Sequence, residues 1–228
     1  MRITPALIAV AMGSAAIASI VSVAPAVAQG TGLSMKGLLG NASDSALDQL
    51  SKPGAFYADQ AVRIALPGPL RKASRLMKLT DRAGLTNNLT KAFNDAAGLA
   101  AQEAKPVFRS AIDQMTLADG VGIVTGGDTA GSQYLRRTSG EDLRGKMRPM
   151  VSNALERTGA FKQIDTFSAG RSGGMLGALT GVDVSRDGLI DSVTDQTMSG
   201  IFTYMGREEA NFRKNPLKKG RKLLDRIM

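Results

Sequence analysis

The sequence predicts an all-α protein: one helical domain of several short-to-medium helices over residues 43–228, behind a cleaved signal peptide, 1–28, and a flexible leader, 29–42. Three observations carry this expectation. Apolar residues recur at three- and four-residue spacing along most of the chain, the period of a helix face. No stretch alternates apolar and polar residues convincingly at the strand period, and no internal repeat is visible. Aromatic residues are only 4% of the chain, few for a typical β-sandwich core.

Taken in order, the first segment is a secretory leader. Arg2 supplies the positive start, "LIAVAMGSAAIASIVSV" the apolar centre, and Ala26-Val27-Ala28 a small-x-small cleavage site before Gln29. Pro25 and that site favour cleavage after Ala28 over a membrane anchor, so no transmembrane segment is expected afterwards. The chain has no cysteine, so it carries no acylation site and is not expected to be a lipoprotein. A periplasmic or secreted protein follows, without disulfides.

The leader "TGLSMKGLLGNAS" is rich in glycine and serine and reads as loose. Ser43 is placed to cap a helix carrying Ala46, Leu47 and Leu50, which Lys52-Pro53-Gly54 ends. "IALPGPL" reads as an extended connector, with Pro69 at a first helical turn. A helix over 70–83 carries Leu76, Met77 and Leu79 and stops at Gly84. The next, over 87–104, places Leu89, Phe93, Ala96, Ala97 and Ala100 on one side.

Pro106 opens another helix, with a stripe of Val107, Phe108, Ala111, Ile112 and Met115. Thr116-x-x-Asp119 and Thr138-x-x-Glu141 match capping boxes. The second would open a helix over 141–159 that contains Pro149, which should kink it, and ends at Gly159. "SAGRSGGMLGALTG" reads as a loop. A last long helix over 191–213 carries Val193, Met198, Ile201, Phe202 and Met205.

The motifs "NDAAGLAAQEAKPVFRSAIDQMTLADGVGIVTGGDTAGSQYLRRTSGEDL", "MRPMVSNAL" and "VTDQTMSGIFTYMGREEANFRKNP" resemble the bacterial DUF4197 family over nearly the whole mature chain. The resemblance implies an exported, predominantly helical protein. It brings no catalytic residue to carry over. Many members look like lipoproteins, and this chain departs from them by lacking the cysteine.

Composition narrows the chemistry. The absence of histidine and cysteine excludes a Ser-His-Asp triad, a thiol nucleophile and His- or Cys-ligated zinc. No cofactor is implied. A carboxylate-dependent hydrolase of an envelope glycan stays open, with Glu103, Glu141, Glu156, Glu208 and Glu209 available, but nothing in the sequence pairs them across a cleft. Glu209 precedes Arg213 by four residues, an ordinary helix-face pair.

Three stretches are candidates for binding. In "GGDTAGSQYLRR", Gly126 and Gly127 are suited to positive φ, Asp128 or Thr129 to capping a helix, and the amides there to holding an anion with Arg136 or Arg137. The spacing is not that of a P-loop, and Asp128 would repel a phosphate, so a plain helix break is preferred.

In "DVSRDGLIDSVT", Asp183, Ser185, Asp187 and Asp191 fall on calcium-loop positions, but Thr194 stands where a bidentate glutamate belongs. A turn leading to a helix capped near Asp191 is preferred there. The third candidate is the tail, where Arg213, Lys214, Lys218, Lys219, Arg221, Lys222 and Arg226 face Asp225 alone in a chain of net charge +9. It suits an anionic envelope component. Nucleic acid is disfavoured by export and by the lack of aromatic stacking residues among these charges.

The function expected is a non-enzymatic cell-envelope binding or interaction module with a basic C-terminal face. Its partner is expected to be an anionic envelope component or another envelope protein.

Overall fold

The computed structural model describes residues 24–68, 70–71, 83–116, 123, 126–169 and 185–215. Seven helices and no strand are found among these described residues, so the all-α expectation holds. The helices are α1 (Ala24–Leu50), α2 (Ala55–Ala58), α3 (Ala83–Glu103), α4 (Lys105–Asp113), α5 (Ala130–Arg157), α6 (Ala160–Ala169) and α7 (Arg186–Lys214).

The helix α7 organises the rest. α7 packs against α5 on one side and α1 on another, α3 lies against α5, and α4 closes on α1. The core follows the helical periodicity of the sequence. Leu89, Ala92, Phe93, Ala96, Ala97 and Ala100 line the inner side of α3, and Val193, Ile201 and Met205 that of α7, all buried. Small residues on α3 let helices approach closely. At Gly200 of α7 an added methyl would stand 2.8 Å from Phe56, so that glycine makes room for an aromatic ring.

Several boundaries differ from expectation. The segment expected to be a loose leader lies within α1, and Ser43, expected to cap a helix start, is buried inside it. The glycines there serve packing instead: a side chain at Gly40 would meet the Arg109 guanidinium at 2.7 Å, and Arg109 bonds Asp44 through two hydrogen bonds of 3.0 and 2.6 Å.

Gly84 lies within the first turn of α3 rather than ending a helix. The helix expected over 70–83 falls largely outside the described residues, as do Asp119 and the whole of the glycine-rich stretch after Ala169. Pro106 does sit in the first turn of α4, where its missing N–H is not needed.

The capping box at Thr138 and Glu141 is not one. α5 begins at Ala130 and runs straight past it, with the Thr138 hydroxyl donating to the Tyr134 carbonyl at 3.0 Å. Inside a helix the same residue types turn to the carbonyl four residues back. α5 also continues through the exposed Pro149 and ends before Gly159, whose φ of 69° makes the left-handed turn into α6. α7 starts earlier than expected, at Arg186, with the Ser185 hydroxyl accepting from the Gly188 amide at 3.1 Å.

The extended connector is held by two amide side chains. Asn94 of α3 accepts from the Ile64 amide at 2.8 Å and donates to its carbonyl at 2.9 Å. Gln196 of α7 does the same for Ala65, at 2.8 and 3.2 Å. Backbone that has no sheet neighbour is thereby satisfied on both edges.

Candidate functional site

The start of α5 and the end of α7 lie side by side, running in opposite directions. Neither Gly127 nor the residues after it behave as expected from the glycine-aspartate pattern. Gly127 does not take the left-handed φ. Thr129 occupies the cap position of α5 without a capping hydrogen bond, its hydroxyl accepting instead from Gln133 at 2.7 Å. Asp128 is exposed and pairs with Lys214 at 3.1 Å.

The cap is supplied from the other helix. Glu209 of α7, fully buried, accepts from the Gly131 amide at 2.9 Å through one carboxylate oxygen. Through the other it accepts from the Ser132 amide and hydroxyl, both at 2.7 Å. Arg213 donates to the first oxygen at 3.1 and 2.9 Å and also to the Ile123 carbonyl at 3.0 Å.

A carboxylate at the positive end of a helix dipole, with its remaining lone pairs taken by an arginine, is the arrangement in which a buried charge is tolerated. The helix start therefore does hold an anion, and that anion is part of the protein. Gly131 is required for it: an added methyl would lie 2.5 Å from a Leu39 methyl and 3.0 Å from the Glu209 carboxylate.

Beside this contact, the surfaces of the two helices leave an open groove of about 400 Å³. α5 contributes Thr129, Ser132, Gln133 and Arg136 to one wall. α7 contributes Phe202, Gly206 and Ala210, a stripe at four-residue spacing, with Thr203 and Arg207 beside it. No Asp or Glu lines the groove.

The two arginines differ in their commitments. Arg207 donates to Asp59 at 2.7 Å, and Tyr204 donates to the same carboxylate oxygen at 2.9 Å. The Ala61 amide donates to the other oxygen of Asp59 at 2.9 Å. The Arg207 bond first, then the Ala61 amide and the Tyr204 hydroxyl, lower the Asp59 carboxyl from 3.8 to about 2. Burial, then the bond to Asp59, raises the Tyr204 hydroxyl. Arg136, by contrast, has no acidic partner among the described residues; its guanidinium lies 5.8 Å from the centre of the Phe202 ring.

Of the residues expected to bind an anion, the structure thus brings Thr129 and Arg136 to the groove and leaves Asp128 and Arg137 outside it. Arg137 stacks over Tyr134 at 5.5 Å. Of the calcium candidates, Ser185 caps α7, while Asp187 and Asp191 lie on the helix and bond Arg148 at 2.7 and 2.9 Å. Asp183 lies outside the described residues, and no cluster able to hold a metal ion is found within them.

Arg213, read as part of a basic face, is turned inward to Glu209; Lys214 is exposed; Lys218, Lys219, Arg221, Lys222 and Arg226 lie outside the described residues. Sequence reasoning missed Arg207, Phe202 and Gln133 as groove residues. It read Glu209 and Arg213 as a surface pair, although Glu209 continues the buried stripe of Ile201 and Met205 at four-residue spacing.

Fold and site together define, among the described residues, a helical domain with a cationic groove and an internally capped helix. The chain belongs to the DUF4197 family, described as a protein of unknown function, whose match spans residues 28–228. No curated protein and no solved structure matches it. Among the described residues no helix is long and apolar enough to cross a membrane.

Proposed function

We propose that this protein is an exported, non-catalytic binding module of the cell envelope, released after Ala28, and that the groove between α5 and α7 holds an anionic group of its partner. The observation that carries this reading is Arg136: a guanidinium in a concave site with no acidic partner among the described residues. A charge so placed is available to a ligand without breaking an internal pair.

The geometry gives less support to a carboxylate hydrolase. That chemistry needs two carboxylates facing a cleft that admits substrate. Here Glu209 is fully buried by its own partners, Glu208 is buried and accepts from Ser45 at 2.8 Å, and Glu103 is paired with Arg157 at 3.0 Å. The basic stretch from Lys214 onward remains part of the proposal as a second contact with an anionic surface, with Lys214 itself exposed next to the groove.

The test is a thermal melt of the mature chain, recovered from the periplasmic or secreted fraction, against a panel of anionic envelope compounds. A ligand specific to the folded state at a hundred times its dissociation constant adds roughly 2.7 kcal/mol. The expected result is a shift with at least one anion that disappears in Arg136→Gln, while the unliganded melt is unchanged. A shift retained in full by Arg136→Gln, or recovery of the chain only from the cytoplasm, would overturn the proposal.

A further inference from the structure

We infer that the groove takes a small amphipathic monocarboxylate, its head on Arg136 and its apolar body along Phe202, Gly206 and Ala210. This rests on the groove being the recognition site and adds the class of ligand.

The charge of the ligand follows from the balance of the site. Arg207 is already neutralised by Asp59, and the buried Glu209 by Arg213. Lys214 and Asp128, at the nearby end of α7, cancel each other as well. Among the described residues, what remains facing the groove is the single charge of Arg136, so a head carrying one negative charge completes it. A second negative charge would instead meet the Asp59 carboxylate behind Arg207. A planar guanidinium fork matches a carboxylate through two parallel hydrogen bonds.

The body follows from the walls. On α7 the lining at 202, 206 and 210 is apolar, with Phe202 and Gly206 mostly buried and Ala210 more open, a floor that gains nothing from a hydrated ion but is dehydrated favourably by hydrocarbon. On α5 the opposite wall holds Gln133 and Thr129, whose polar groups are bonded to each other at 2.7 Å, so a hydrocarbon body beside them breaks no other bond. A space of about 400 Å³ accommodates a body much larger than phosphate or acetate.

The experiment is calorimetric titration of the mature protein with four probes: decanoate, decanol, acetate and inorganic phosphate. Decanol has the body without the charge; acetate and phosphate have the charge without the body. The expected result is one-to-one binding of decanoate at least tenfold tighter than any of the other three. Arg136→Gln should reduce decanoate to the affinity of decanol, and Ala210→Gln should weaken decanoate while leaving acetate unchanged.

Phosphate or acetate binding as tightly as decanoate, with dependence on Arg136, would overturn the amphipathic ligand and leave the groove as an anion site. Binding of decanoate unaffected by either substitution, or no binding by any probe, would overturn both.

Discussion

The same pair of helices, α5 and α7, is sealed by ion pairs towards one end and holds an open groove towards the other. At the sealed end both helices bring charge, and the charges are opposite in sign, two arginines facing three aspartates. Arg144 bonds Asp195 at 2.5 Å and Asp191 at 3.3 Å, while Arg148 bonds Asp191 at 2.9 Å and Asp187 at 2.7 Å. These bonds hold the Asp191 carboxyl below its ordinary range, with Arg148 the leading cause. At the open end α5 offers Arg136, and α7 answers with Phe202, Gly206 and Ala210.

Alternation of arginine and aspartate at helical spacing closes an interface. An arginine set against a ring and two small residues leaves a groove whose charge is unmatched among the described residues. The difference lies in what one helix places opposite the other, since the backbones are continuous through both ends.

The strongest way to break this comparison is to remove the anchor beyond the open end. Glu209→Ala deprives Arg213 and two amides of their buried partner, and loss of one member of such a pair costs about 3–5 kcal/mol. Urea denaturation should show that loss, together with loss of the groove's affinity for any ligand it takes. A change under about 1 kcal/mol would mean that water replaces the carboxylate and that the cap does not set the groove.

A weaker test uses acid. The Asp59 carboxyl is lowered to about 2 from 3.8, so its contribution to stability is complete above about 3.8 and is lost as pH falls from there towards about 2. In Asp59→Asn that part of the acid sensitivity should disappear from a series of melts between pH 5 and 2. An unchanged acid profile would show that Arg207 is held by something other than Asp59.

The smallest effect is expected at the sealed end. Asp191→Asn weakens an exposed pair network, which salt screens, and should cost no more than about 1 kcal/mol. Ligand binding at Arg136 should be untouched. A larger loss, or altered binding, would show that the two ends are coupled along the helices.

Much of this architecture was legible in the sequence, because burial imposes a period. The stripes of α3 and α4, the proline at the start of α4 and the glycine after α5 each follow from local rules that tertiary packing did not override. The failures are equally physical. Glycines in α1 read as looseness, yet Gly40 leaves space for Arg109, a need created by a residue far along the chain.

Thr138 and Glu141 had the spacing of a cap, but four-residue motifs recur within helices. The true cap came from a glutamate on another helix, which no local window contains. Of the site itself, Arg136 and Thr129 were found from their neighbours in sequence. Arg207, Phe202 and Gln133 were not, since only packing of α7 on α5 makes them neighbours.

The capping of α5 by Glu209 also has a consequence for the order of events during synthesis. The Gly131 and Ser132 amides wait 78 and 77 residues for their acceptor. A chain growing from its N-terminus therefore exposes an unfinished helix start, and an uncovered inner face of α1, until nearly the whole of α7 has emerged. Closure of so distant a contact is slow relative to local helix formation. Completion of the α5 start is thus tied to the far part of α7, and a chain cut short before Glu209 leaves the Gly131 and Ser132 amides without their acceptor.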